Sequence, residues 1–200
     1  MKTAIIGVGE YGTTFINYAK KQEGEFFAVS VDTDPFTLND SDADEKVYVL
    51  EGLSSKLDVI DNITKECGIV YIIGGIGGEV GGEYVYELAK YFYRKGTSVI
   101  GFIAKPFSFE GESKMQIANV IEERLKEFTS VTAVVDNHLL KEHLLKQDQM
   151  VTLEHAFEII DHYFVSLIHQ TKEGDFHIPQ DVAKKLDTFV TVHVAEPAEN

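Results

Sequence analysis

A single cysteine, Cys67, stands in a chain of 200 residues. That excludes an internal disulfide framework and a cysteine-based metal site, and its apolar neighbours read as the setting of a buried structural thiol. Positive charge is also scarce. Against 33 Asp and Glu there are 18 Lys and Arg, a formal net charge of −15, which argues against non-specific binding to nucleic acid or anionic membrane because both are polyanions. No apolar run approaches the roughly 18 residues of a membrane-crossing helix. The sequence starts on a strand-like run, Lys2-Thr3-Ala4-Ile5-Ile6, rather than on a signal peptide, so the expected compartment is the cytoplasm. Internal repeats, low-complexity blocks and signs of a second domain are missing as well.

What is present reads as one α/β domain. Hydrophobic residues at 44% and charged residues at 26% are ordinary for a folded chain able to bury a sizeable core. Strand-like runs fall at 4–8, 26–31, 47–50, 69–73, 98–104 and 132–135, and helical patterns at 13–22, 56–66, 83–94, 112–128 and 139–146. Continuous apolar runs such as Ile69-Val70-Tyr71-Ile72-Ile73 suit strands buried on both faces. A last long helix, 153–170, carries apolar residues at 153, 156, 157, 160, 164, 167 and 168 and packs one face on the sheet. The expected fold is a Rossmann-like three-layer α/β/α arrangement with an open, mostly parallel sheet, ending in a long core helix. Ligands of such sheets sit at the carboxyl ends of the strands.

Two glycine loops occupy such ends. Gly7-Val8-Gly9-Glu10-Tyr11-Gly12 is a G-x-G-x-x-G between strand and helix, and Asp32 follows at the end of the second strand, where a dinucleotide fold places its ribose acid. The same pattern also serves a tight strand–helix turn without ligand. The second loop, Gly74-Gly75-Ile76-Gly77-Gly78-Glu79-Val80-Gly81-Gly82, has six glycines in nine residues. A simple turn needs one or two, so a backbone cradle for a polyanion explains them better. Two such loops on one sheet edge point to a ligand with several phosphates.

A third loop, Lys105-Pro106-Phe107-Ser108-Phe109-Glu110-Gly111, resembles the FtsZ segment that leads into the helix below the nucleotide ribose. The order of landmarks resembles the FtsZ/tubulin family over residues 1–182: glycine loop, Asp32-Thr33-Asp34, second glycine loop, this run, a strand ending in Asp136-Asn137 with Leu139-Leu140, and the long helix. The resemblance implies a GTP/GDP-binding domain over 1–170, with a degenerate loop and tail over 171–200. It places Gly7, Gly9 and Gly12, with Glu10 and Tyr11 in the same loop, at the α-phosphate. It places Gly75, Gly77, Gly78, Glu79, Val80, Gly81 and Gly82 around the β-phosphate. Pro106 and Glu110 fall at the ribose, and Lys114 falls near the phosphates in place of the family's arginine. Phe157 and Asp161, i and i+4 on the long helix, match the pair that stacks on guanine and accepts its N1–H and N2–H. On helix pattern alone, a core aromatic and a solvated acid read equally well.

The departures from the family decide the mechanism. Glu10, Tyr11, Thr13 and Thr14 replace glycines and an asparagine in the first loop, and Glu79 and Val80 replace a glycine and a threonine in the second. A carboxylate repels phosphate by about 1 kcal/mol in water-like surroundings. Glu10 and Glu79 therefore lower affinity unless a divalent cation such as Mg²⁺ bridges them to the ligand. The segment Glu51-Gly52-Leu53-Ser54-Ser55-Lys56-Leu57 is short and lacks the glycines that meet a γ-phosphate. The acidic loop that completes hydrolysis in FtsZ is reduced to His177-Ile178-Pro179-Gln180-Asp181, with Asp181 its one surviving carboxylate. Without a placed base, a rate factor of roughly 10²–10⁴ is missing. The expectation is weak or absent GTP hydrolysis and action by self-assembly or partner binding, on its own copies or a full-length FtsZ-like relative, in a cytoskeletal or cell-division role. Two alternatives stand: a nucleotide-free pseudo-GTPase scaffold, and a Rossmann-type NAD-binding enzyme using Asp32. His155, His162 and His169 recur seven apart, about 10 Å along a helix axis, too far for one metal ion.

Overall fold

Strands and helices alternate from Lys2 onward in the computed structural model, which describes residues 2–22, 26–146, 152–172 and 189–195. The elements are β1 (Lys2–Val8), α1 (Gly9–Lys21), β2 (Phe27–Asp32), α2 (Pro35–Asn39), β3 (Glu45–Tyr48), α3 (Leu57–Thr64), β4 (Cys67–Gly75) and α4 (Glu79–Arg94). Then follow β5 (Ser98–Lys105), α5 (Glu112–Leu125), β6 (Val131–Asp136), α6 (Asn137–Lys146), α7 (Leu153–Lys172) and β7 (Val190–Val194). The strands form one sheet in the order β3-β2-β1-β4-β5-β6-β7. Every pairing is parallel except that of β7, which runs antiparallel to β6.

The continuous apolar runs are explained by two covered faces. Ile5, Tyr71 and Phe102 point to one face, where Phe15 and Ile16 of α1, Leu140 of α6 and Phe164 of α7 meet them. Ala4, Ile6, Ile72 and Ile103 point to the other, against Ile60 of α3, Val85 and Leu88 of α4 and Leu125 of α5. Phe102 and Phe164 stack at 4.4 Å between ring centres, fixing the long helix on the sheet. Burying one such side chain fully contributes about 1.5–3 kcal/mol. The three-layer α/β/α arrangement with a mostly parallel sheet is the one expected.

Three details differ from the expectation. Both α1 and α4 start four residues earlier, so the later glycines of each loop lie in a first helical turn. The short α2 carried too little periodicity to be recognised; Pro35 opens it, and Asp34 caps it by accepting from the N–H groups of Phe36 and Thr37. Val190–Val194, which falls in the expected tail, adds an edge strand to β6. No helix among the described residues is long and apolar enough to cross a membrane.

Candidate functional site

Neighbouring strands β1 and β4 send their chains to opposite faces of the sheet, to α1 and to α4. That divergence opens a crevice at their carboxyl ends. Neither helix has a side-chain cap: α1 begins after Val8 and α4 after Gly78. Their first N–H groups are left for an external acceptor, and the positive ends of both dipoles favour an anion.

The glycines divide into two groups. A Cβ on Gly12 would lie 2.6 Å from the Ile73 carbonyl oxygen, and one on Gly7 would strike Gly12. A Cβ on Gly81 would overlap the Gly75 carbonyl oxygen, and one on Gly77 would come within 2.8 Å of Pro106. Gly7, Gly12 and Gly81 let helix and strand backbones touch, and Gly77 makes room for the Pro106 ring. Gly9, at φ +70°, and Gly78 have open space where a Cβ would go, and they flank the two uncapped helix starts. Close packing thus accounts for much of the second loop's glycine content, and a phosphate cradle is needed only for the open positions.

Beside these loops lies a cavity of about 410 Å³. Phe157 forms one wall, flanked at steep angles by Tyr11 (6.3 Å between ring centres) and Phe107 (6.2 Å). Three residues of its lining each carry a buried side-chain atom with no hydrogen-bond partner among the described residues: the Tyr11 hydroxyl, Asn137 Oδ1 and Asp161 Oδ1. They come from α1, α6 and α7. Burial, with a smaller push from the Glu158 charge, raises the Asp161 carboxyl to about 7. Burial also raises the Tyr11 phenol, and the charge of Asp161 adds to the effect. Unsatisfied buried polar atoms are costly, and three of the six residues that carry one among those described line this aromatic-walled space. A larger cavity of about 890 Å³ opens at the other end of the sheet, around Lys2, Lys65 and Glu66. None of the unpartnered buried atoms lines it.

No family model matches the chain. It is similar to cell division protein FtsZ 2 of Rhizobium meliloti (strain 1021), 29% identical over 82% of this chain and 52% of that protein. It is also similar to FtsZ of Aquifex aeolicus (strain VF5), 29% identical over 80% of this chain and 48% of that one. The fold matches an FtsZ mutant from M. jannaschii with a TM-score of 0.73 at 22% identity, covering 86% of this chain and 56% of that one. The GDP-bound monomer of CetZ1 from Haloferax volcanii matches with a TM-score of 0.67 at 20% identity, covering 93% and 64%. TubZ from Bacillus thuringiensis serovar israelensis, solved as GDP-form protofilaments, matches at 0.65 and 15%, covering 86% and 53%.

The chain resembles FtsZ in sequence and shares its fold. It spans about half the length of the FtsZ proteins it matches.

In this FtsZ-like chain Glu10, Tyr11, Gly75, Gly77, Pro106, Glu110, Phe157 and Asp161, all expected at the site, line one cavity. Others stand elsewhere. Gly7, Gly12 and Gly81 pack helix against strand, Gly82 lies against Ile76 and Ile121, and Val80 packs against the core of the α4 face. Lys114 pairs with Glu110 at 3.1 Å and is not in the lining. The second Glu110 oxygen accepts from the Phe107 N–H at 2.8 Å. Asp32 is buried, with Oδ1 accepting from the N–H groups of Thr33 (2.6 Å) and Asp34 (3.0 Å). It tightens its own turn and does not line the cavity. Of Glu79 only the backbone is described, at the start of α4. Asp181 lies outside the described residues.

Asn137 and Phe107 join the lining without having been expected there. The signal for Asn137 was its place at the end of β6, where strand-to-helix loops hold ligands. Lys105 also reaches the lining, but its ammonium pairs with Glu122. The Gly52 loop ahead of α3 is absent from the lining. Among the described residues no three His, Cys, Asp or Glu side chains gather as a metal group.

Proposed function

We propose that this chain binds guanine nucleotide, GDP or GTP, in the cavity between α1, α6 and α7, hydrolyses GTP weakly or not at all, and works through self-assembly or a protein partner. The observation that carries the reading is the convergence of Tyr11, Asn137 and Asp161, each with a buried unpartnered atom, beside the Phe157 ring. Phe157 supplies a stacking plane. Asp161, when ionised, accepts two adjacent N–H groups, which is the pattern on the guanine edge. The uncapped starts of α1 and α4 supply N–H groups for phosphate oxygens. Glu10 at the first of these starts opposes phosphate, so a divalent cation such as Mg²⁺ between carboxylate and ligand would raise affinity. The GDP-bound state of the CetZ1 neighbour and the protofilaments of the TubZ neighbour support a nucleotide-linked, assembling role. In keeping with its relatives, that role belongs to a cytoskeletal or cell-division setting in the cytoplasm.

Weak hydrolysis is supported by the sequence after the long helix, where Asp181 is the one carboxylate left of the family's acidic loop. A second reading, a nucleotide-free interaction module, is favoured by one observation: Lys105, the cation in the lining, is already committed to Glu122. Displacement of a fluorescent GDP analogue separates the two. GDP and GTP should compete while ATP and NAD should not; failure of the analogue to bind would favour the module.

A further inference from the structure

The residue that sets this cavity apart is Tyr11. It stands in the first turn of α1, in the loop where the resembled family has a run of glycines, and its ring meets Phe157 edge-on, as that of Phe107 does. Its hydroxyl is buried and unpartnered among the described residues, although Asp161 is near enough for its charge to act on the phenol. Asp161 and Asn137 are themselves nine-tenths buried or more, with 5% and 7% exposure, and each leaves an oxygen without a donor. An ionised carboxylate and an amide oxygen accept hydrogen bonds, while a phenol at neutral pH donates one. The three therefore make a set of two acceptors and one donor around an aromatic slot.

We propose that Tyr11 is a base-reading residue of this pocket, donating its hydroxyl hydrogen to an acceptor atom of guanine while Asp161 and Asn137 take the guanine N–H groups. The inference rests on the guanine-nucleotide reading and extends it to a residue that the family pattern leaves without a side chain. Adenine, with a ring acceptor where guanine has a donor, would set its lone pair against Asp161. Donated to the guanine O6 carbonyl, where adenine carries an amino donor, the Tyr11 hydrogen adds affinity for guanine without adding any for adenine. A site built on buried hydrogen-bonding groups rejects a mismatched partner because those groups stay unpaired.

Tyr11→Phe tests this by removing the hydroxyl and keeping the ring. The expected result is GDP affinity lower by roughly 5- to 10-fold, the effect of one lost hydrogen bond, with ADP affinity unchanged. The same variant loses an unpartnered buried oxygen in the nucleotide-free state, so its thermal midpoint without nucleotide should be equal or higher. A structural role would lower both midpoint and affinity, and that result would overturn the proposal. Wild-type GDP affinity in Tyr11→Phe would also overturn it, leaving the guanine reading intact. If the native chain binds no GDP at all, both fall. Tyr11→Leu, lacking ring and hydroxyl, should lose more GDP affinity than Tyr11→Phe; an equal loss would remove the ring from the proposal.

Discussion

The carbonyl oxygen of Gly75, at the end of β4, occupies the space that a Cβ on Gly81 would need. Helix α4 therefore rests directly on strand backbone at that point, and the helix start is held against the crevice by contact. Gly81→Ala should destabilise the protein by about 3 kcal/mol, because backbone must move to admit the methyl group. Gly78→Ala, at an N-cap with open space and φ −104°, should cost no more than about 1 kcal/mol. Chemical denaturation of both variants checks the contrast, and equal losses would contradict the packing account.

Phe157 is half-buried on α7 and presents its ring to the cavity. Phe157→Ala should weaken GDP binding by about 5- to 150-fold, the range that corresponds to a stacking loss of about 1–3 kcal/mol. Circular dichroism should show the fold retained. A variant that binds GDP normally would place the base elsewhere.

The Asp161 carboxyl, raised to about 7, titrates in a testable window. Its ionised form takes the guanine donors, so GDP affinity should rise about tenfold between pH 6 and pH 8, and Asp161→Asn should flatten that dependence. The nucleotide-free protein should behave in the opposite sense. Between about pH 4 and 7 the unfolded chain has lost this proton while the native state keeps it. Stability should therefore fall as pH rises, by at most about 1.4 kcal/mol per pH unit from this group. Urea titrations across that window, native against Asp161→Asn, read the difference directly.

Glu122 holds Lys105 and also faces His193 at 3.3 Å, tying β5, α5 and β7 together beside the site. Glu122→Gln leaves a largely buried ammonium without its counter-charge and should destabilise the fold by about 3 kcal/mol. The same change releases Lys105 towards the cavity, so GDP affinity in the folded variant should not fall. A loss of affinity larger than the loss of stability would mean that Glu122 supports the site itself.

Much of this architecture was legible in the sequence for a physical reason: parallel strands buried on both faces must be apolar throughout. The runs 69–73 and 98–104 accordingly sit inside β4 and β5. The pairing of Phe157 with Asp161 was legible because i and i+4 share a helix face, and both reach the cavity. The glycines were harder. From sequence, six in nine residues read as a phosphate cradle, yet Gly77 and Gly81 are glycine because Pro106 and the Gly75 backbone press against them. Spacing cannot distinguish a glycine that admits a ligand from one that admits a neighbouring chain segment. The role of Asp32 misled in a similar way, since an acid at a strand end can close its own turn as well as meet a ribose. Asn137 was marked only as the end of a strand, because a single amide has no pattern, and it gains meaning when the fold brings it into one cavity lining with Asp161.

The nucleotide content of freshly purified protein tests the central claim most directly. Denaturing the protein and chromatographing the supernatant, then titrating the emptied chain with GDP and GTP with and without Mg²⁺, reads both occupancy and affinity. The account predicts guanine nucleotide released from the protein, or saturable GDP binding that Mg²⁺ strengthens. A chain that arrives empty and binds neither nucleotide under either condition would contradict it.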